Sequence, residues 1–204
     1  LSNGGLTMLY TWEPNTARYR DSKGRFTSPK QVKALAQELL NVSGAKGQTL
    51  ADQYNSGKLR AKEFGDLLKA ELKKESIRQY VLSRGGLERM TKKDWGSIGG
   101  SLSDQYKYLS GFVDDIGNLS ALEVSARTQM YINSTRESFE KGKATAASES
   151  KLTKEHWVLS AGENCSDCIE LASKGWVDIG ELGQYPGDGQ TKCKTNCGCS
   201  IEYK

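Results

Sequence analysis

Cys165-Ser166-Asp167-Cys168 and Cys193-Lys194-Thr195-Asn196-Cys197-Gly198-Cys199 hold every cysteine of this 204-residue chain. Such crowding at the end of an otherwise cysteine-free sequence calls for one local cross-link, either a metal ion or disulfides. Zinc takes four ligands in a tetrahedron, and thiolates are its usual structural partners. A Cys-x-x-Cys turn puts two sulfurs on one side of a tight loop, and the second cluster offers three more for the two remaining places. Cys197 and Cys199, two apart, face the same side of an extended segment. The expected site takes four of Cys165, Cys168, Cys193, Cys197 and Cys199, with zinc preferred on ligand softness. A disulfide-stapled knot is the alternative, though an odd cysteine count argues against complete pairing. A redox Cys-x-x-Cys is disfavoured because no strand–helix pattern surrounds it. Between the clusters, Gly183, Pro186, Gly187 and Asp188 supply turn chemistry that brings the two halves together.

Working outward, His156-Trp157-Val158-Leu159 reads as a short strand leading into this module, which spans residues 149–204. His156 is the only histidine. With no acid partner in sight it reads as structural, or as a minor candidate ligand, rather than as a catalytic base.

Residues 29–148 read as a helical body. Ser28-Pro29 starts the first helix: Ser28 can cap, and Pro29 fits the first helical position, where no N–H is needed. Val32, Leu35, Ala36, Leu39 and Leu40 follow at helical spacing, and Asn41 to Gly47 breaks the pattern before a short helix from Thr49 to Tyr54. Residues 59–84 form the strongest helix, with Phe64, Leu67, Leu68, Leu72, Ile77, Tyr80 and Val81 in one apolar stripe. Trp95 to Gly100 is a Gly-rich break. A helix with Leu102, Tyr106, Leu109, Phe112, Val113 and Ile116 inward comes next. Asp114 and Asp115 on it point about 100° apart and read as surface charge, not as a converging pair. The last long helix runs from Ser120 to Lys141, capped by Ser120 with Glu123, and buries Leu122, Ala126, Met130 and Phe139. Residues 142–154 read as a linker or fraying end.

Residues 1–28 look like an extended basic arm. Asn3-Gly4-Gly5 and Glu13-Pro14-Asn15 are turn signals, and Arg18, Arg20 and Arg25 interleave with Tyr19 and Phe26. Arginines and aromatics so arranged suit phosphates and bases; the competing reading anchors the aromatics on a neighbouring protein surface. The stretch from Lys58 to Lys93 is rich in Lys and Arg, and Lys69, Lys73 and Lys74 are candidate contacts for DNA or an acidic protein partner; solvation alone is the bland explanation.

A formal net charge of +4 is too mild for a dedicated nucleic-acid binder. No apolar run approaches the roughly 20 residues of a membrane span, and Leu6 to Tyr10 is too short for a secretory signal. No phosphate-loop, dinucleotide or nucleophile-elbow pattern occurs, so no enzymatic activity is expected. The fold class expected is mainly α: a helical body with an extended arm and a small irregular or β cysteine-rich module.

One family shows these late features in the same order. Ala126-Arg127-Thr128 begins a helix with Asn133 and Arg136 downstream; Trp157 follows a short linker, Glu163 precedes Cys165 and Cys168, and Pro186-Gly187 leads to Cys197-Gly198-Cys199. In this the chain resembles the phage minor head, or head-morphogenesis, proteins over roughly residues 120–204. Lys194 and Gly198 stand where that family often has a His and an Arg. The resemblance implies a virion protein present in more than one copy per assembly, contacting capsid or portal proteins and packaged DNA, and residing in host cytoplasm during assembly. A zinc-containing nucleic-acid-binding protein is the alternative.

Overall fold

The computed structural model describes residues 10–204. The turn expected at Asn3-Gly4-Gly5 and the segment from Leu6 to Leu9 lie outside the described residues. The architecture is mainly α, with two small antiparallel sheets and a cysteine-rich C-terminal region, as the sequence predicts.

Helix α2 (Ala61–Arg84) is the element on which α1 (Pro29–Asn55), α3 (Lys92–Asp115) and α5 (Arg136–Ser148) all pack. Phe64, Leu68 and Leu72 are fully buried along it, joined by Leu109 and Phe112 of α3 and Val124 and Ile132 of α4 (Ala121–Ser134). Toward its C-terminus α2 is enclosed on every side, and Glu75, Gln79 and Arg84 are buried there with partners. The Glu75 carboxylate accepts from Ser43 and Gln79. Arg84 faces Asp94 and Glu149.

Ser28 caps α1 as expected: its Oγ accepts from the Gln31 N–H, and the Gln31 side-chain Oε1 accepts from the Ser28 N–H at 2.9 Å. The expected interruption at Asn41–Gly47 is absent. A Cβ on Gly47 would lie 3.1 Å from Ile132 of α4, and one on Gly44 would lie 3.1 Å from the Gln129 amide. The glycines form a notch that lets α4 cross closely, and this packing outweighs their helix-propensity cost of about 1 kcal/mol each. Helix α3 likewise runs through Trp95–Gly100. It starts earlier than expected because Thr91 and Asp94 make a capping box.

The long terminal helix is two helices. α4 ends at Ser134, and α5 continues past Lys141 to Ser148, so most of residues 142–154 is helix rather than linker. The Ala-rich sequence suits this. Gly142, Ala144, Ala146 and Ala147 are buried, and Gly142 lets the backbone of α5 approach α2. Phe139 is buried as expected, but Leu122 is 80% exposed and Ala126 also faces solvent. The buried side of α4 carries Val124, Thr128 and Ile132, two residues out of step, which on a helix is about 200° and so the opposite face.

The described part of the arm is a sheet laid on this body. β1 (Tyr10–Glu13), β2 (Arg18–Asp21) and β3 (Phe26–Thr27) pair antiparallel, with Trp12 opposite Tyr19. The two rings meet edge to face at 4.8 Å and are buried with Val32, Ala36, Leu82 and Phe139. The Tyr19 hydroxyl donates to the Ser83 carbonyl at 2.6 Å, and the Trp12 N–H of β1 to the Gly85 carbonyl at 3.3 Å. Gly85 caps α2 at φ 91°, and any Cβ there would run into the Trp12 backbone.

In the C-terminal sheet, β4 (Lys154–Val158) lies between β5 (Val177–Asp178) and β6 (Ser200–Tyr203), all antiparallel. Trp157 and Ile201 face each other across it and are fully buried. The far edge of β6 is covered by α5, where the Glu140 carboxylate accepts the Ile201 N–H at 3.3 Å.

Candidate metal centre

Strand β4 leads through a tight loop to α6 (Ser166–Ser173), and Cys165 is the N-cap of that short helix. The strand–helix context that the sequence did not suggest is therefore present. The helix turn carries Cys168 to the same side as Cys165. The spacer then returns under the control of Glu155, a buried β4 residue whose carboxylate accepts the N–H groups of Gly180 and Leu182 at 2.9 and 3.0 Å. Asp188 closes the next turn by accepting from Tyr185 and Gln190 N–H. A 3-10 turn, Lys194–Asn196, with Lys194 at φ 51°, delivers Cys193 and Cys197.

All five cysteines converge and none forms a disulfide. Cys165–Cys193, Cys168–Cys193 and Cys168–Cys197 are each 3.6 Å apart, sulfur to sulfur. That is far beyond an S–S bond of about 2.05 Å. It is close to the edge of about 3.8 Å that a tetrahedron with zinc–sulfur bonds of about 2.3 Å would have. The sulfurs form two triads that share Cys168: Cys165, Cys168 and Cys193 in one, Cys168, Cys197 and Cys199 in the other. The cluster can hold a metal ion.

Electrostatics separate the thiols. Burial alone would raise Cys165, but the backbone N–H groups of Cys168 and Cys193 donate to its sulfur and bring it down to about 7. Burial pushes the Cys168 thiol strongly up, and the neighbouring sulfurs add to this. Burial also pushes Cys197 up to about 12, although the Cys199 backbone N–H donates to its sulfur. Amide-to-sulfur bonds of this kind are what orient and neutralise thiolates around a cation. The Cys199 thiol makes a different contact, 3.4 Å from the Asn164 side-chain oxygen. Asn164 also accepts from Ser160 and donates to the Ser160 and Gly162 carbonyls, so it fixes the loop before Cys165.

The centre is tied to the helices. Arg136 of α5 donates to the Cys197 carbonyl at 2.6 Å and to the Gln37 side chain of α1 at 2.8 Å. Asn133 of α4 donates to Asn196 at 2.9 Å. Trp157 packs in one apolar cluster with Cys168, Cys197, Cys199 and Leu171. His156 is not among the potential ligands. It lies against Trp176 at 5.2 Å, on the outer face of the sheet.

The other candidate contacts do not converge. Tyr19 is buried and unavailable for base stacking. Arg20 pairs with Glu13 and Arg25 with Asp21, while Arg18 and Arg20 lie over the half-exposed Phe26 ring. Lys69, Lys73 and Lys74 sit around the middle of α2, whereas the arm docks at its C-terminal end, roughly 15–20 Å away along the axis. Lys74 pairs with Glu71. Arg84 is buried, and Arg60, Arg78 and Arg89 are engaged by Glu63, Glu75 and Glu149. About half of the basic stretch is thus held in ion pairs, and Lys69 and Lys73 are outside them. Asn164, Glu155 and Glu140 escaped the sequence reading. The only available cue was Asn164 beside the first cysteine, a residue type that caps and turns loops.

Comparison with protein-family models, with curated proteins and with solved structures returns no match to this chain. No helix of the described residues is long and apolar enough to cross a membrane.

Proposed function

We propose that this protein is a structural component of a phage particle, of the minor head type, whose C-terminal module is stapled by one zinc ion and held against a helical body. The observation that carries the reading is the wiring of the residues on which the resemblance rests. Asn133 and Arg136, three apart in sequence, reach the adjacent residues Asn196 and Cys197, and Trp157 packs on the same cysteines. In this reading the conspicuous residues serve architecture rather than a reaction.

Zinc is held by Cys165, Cys168, Cys193 and Cys197. Cys199 stays outside, its N–H serving Cys197 and its thiol serving Asn164. Four soft sulfurs, with no histidine or carboxylate among them, favour zinc over harder ions. The protein joins capsid or portal proteins during head morphogenesis. Co-sedimentation with assembled particles, together with about one zinc per chain by elemental analysis, tests both halves. A protein that stays soluble while heads assemble without it, or that purifies folded with no metal, sinks the corresponding half.

The nucleic-acid alternative has the exposed Arg18–Phe26–Arg20 cluster in its favour. The pairing of Arg20 with Glu13, Arg25 with Asp21 and Lys74 with Glu71 counts against it.

A further inference from the structure

A cavity of about 1100 Å³ forms an open groove between α3, α4, α5 and the loop that carries Cys193. It exceeds the range of about 300–1,000 Å³ usual for small-molecule sites. The metal centre makes no use of it. Every acid on its walls is already engaged. Asp104 pairs with Lys107 at 2.9 Å, Glu137 pairs with Lys141 at 2.5 Å, and Asp188 accepts two backbone N–H groups. Two cations are not engaged. Arg127 on α4 and Lys194 in the cysteine loop are exposed, line the groove, and make no ion pair among the described residues. The positive-φ backbone of Lys194 belongs to the turn that the cysteines impose.

The rest of the groove is part apolar and part bare. Phe112 and Tyr131 stack at 5.7 Å, Arg127 lies 5.9 Å from the Phe112 ring, and Tyr108 stands 74% exposed. On the α3 wall, a Cβ added to Gly96, Gly100 or Gly111 would meet nothing within 4 Å. The contrast with the other helices is informative. Gly44, Gly47, Gly65 and Gly142 each lie beneath a neighbouring helix, so their missing side chains have an internal use. Those of α3 have none, and each costs about 1 kcal/mol of helix propensity.

We propose that this groove seats an acidic peptide segment of a partner protein. Its carboxylates meet Arg127 and Lys194, and its main chain runs along the glycine wall of α3. Charge selects peptide over nucleic acid. With only Arg127 and Lys194 uncompensated on its walls, the groove offers a continuous phosphate chain too few partners, whereas a peptide can place its negative charges at two separate points. The proposal goes beyond the virion reading, and depends on the zinc staple only through the loop that presents Lys194.

The test selects a displayed library of random peptides on the full, metal-loaded chain. Selected clones are then measured against two variants: the double substitution Arg127→Glu with Lys194→Glu, and Gly100→Leu, which fills the wall without altering charge. All three positions are exposed, and circular dichroism confirms folding. The expected result is a set of peptides rich in Asp and Glu whose affinity falls about tenfold or more on charge reversal, falls on Gly100→Leu, and weakens with salt. Peptides without acidic enrichment, or peptides that bind both variants as tightly as the unaltered chain, overturn the proposal. So does an empty selection, and so does oligothymidylate binding that is lost in these variants while no acidic peptide is retained. A chain that binds no zinc yet captures acidic peptides through these residues refutes the staple and upholds the groove.

Discussion

Replacing Arg136 with Met should loosen the metal centre from a distance. Met keeps the length and the apolar packing of the side chain while removing every donor. Two hydrogen bonds are lost, and they are unequal. Gln37 is exposed, so water replaces the bond to it at little cost. Cys197 is buried, and its carbonyl loses a charged donor at 2.6 Å. A hydrogen bond to a charged group contributes about 1.5–3 kcal/mol, so nearly all the loss, about 2–3 kcal/mol, falls on the loop that carries Cys197. If that loop takes its docked shape only when loaded, the loss appears in metal affinity. At about 1.4 kcal/mol per factor of ten, binding weakens roughly thirtyfold to a hundredfold. Competition with a chromophoric chelator at neutral pH measures this, and urea unfolding followed by circular dichroism measures the helices. Gln37→Ala, which removes only the outer bond, should change either by less than about 0.5 kcal/mol. If Arg136→Met binds zinc as tightly as the unaltered chain while its helices unfold earlier, Arg136 supports the helices alone and the reasoning fails.

Three further outcomes are expected. Cys168→Ser removes the sulfur common to both triads, so zinc content should fall from about one per chain to near zero while most helical ellipticity remains; retained stoichiometric zinc would exclude Cys168 as a ligand. Gly142→Ala gains about 1 kcal/mol in helix propensity, but its methyl would lie 2.6 Å from the Tyr80 carbonyl oxygen, so a net loss of about 1–3 kcal/mol should appear in denaturant melts, and a stabilised variant would refute the close approach of α5 to α2. Burial alone would raise the Asp94 carboxyl, but hydrogen bonds from Thr91 and Tyr80 and the charge of Arg84 hold it below its usual range. Its contribution is therefore present above the unfolded value of about 3.9 and is lost as pH falls through the lower folded value. Asp94→Asn should flatten that acid limb and cost about 3 kcal/mol at neutral pH, and an unchanged acid limb would count against the assignment.

The helical character of the body was legible because apolar spacing and caps agree at Ser28, Arg84–Gly85 and Ser120. Its boundaries were not, and for one recurring reason. By sequence, glycine signals an interruption at Gly44–Gly47 and Gly96–Gly100, and the Ala-rich stretch after Lys141 signals a linker or fraying end. In this fold small residues inside helices are where another helix crosses, or where a wall is left open. A single sequence does not reveal whether a glycine ends a helix or admits a neighbour, because the deciding atom belongs to a distant residue: Ile132 for Gly47, the Tyr80 carbonyl for Gly142. The misplaced face of α4 has the same origin. Leu122 is the most apolar residue near its start, but the surface packed on α1 carries the β-branched Val124, Thr128 and Ile132.

The cysteines were legible for a different reason. Ligand spacing is a local property, and two clusters joined by a turn-rich spacer have few ways to meet. What spacing does not encode is why such a module holds its shape. Apart from cysteines, its fully buried side chains are chiefly Trp157, Leu171, Leu182 and Ile201, a small core for a segment of this length. The remaining support is polar and comes from the helices: Glu140 to the Ile201 N–H on the open edge of β6, Asn133 to Asn196, and Arg136 to the Cys197 carbonyl. These groups lie at the end of α4 and along the first turns of α5, on both sides of the break at Thr135. A continuous helix would rotate Asn133 and Arg136 about 300° apart, leaving them to share one face with a rise of about 4.5 Å between them. The break is brief enough to keep that arrangement, and adjacent residues of the cysteine loop fall within reach of both. The order of motifs from Asn133 to Cys199 thus has a physical counterpart: helix residues and cysteines separated by some sixty positions act on one loop.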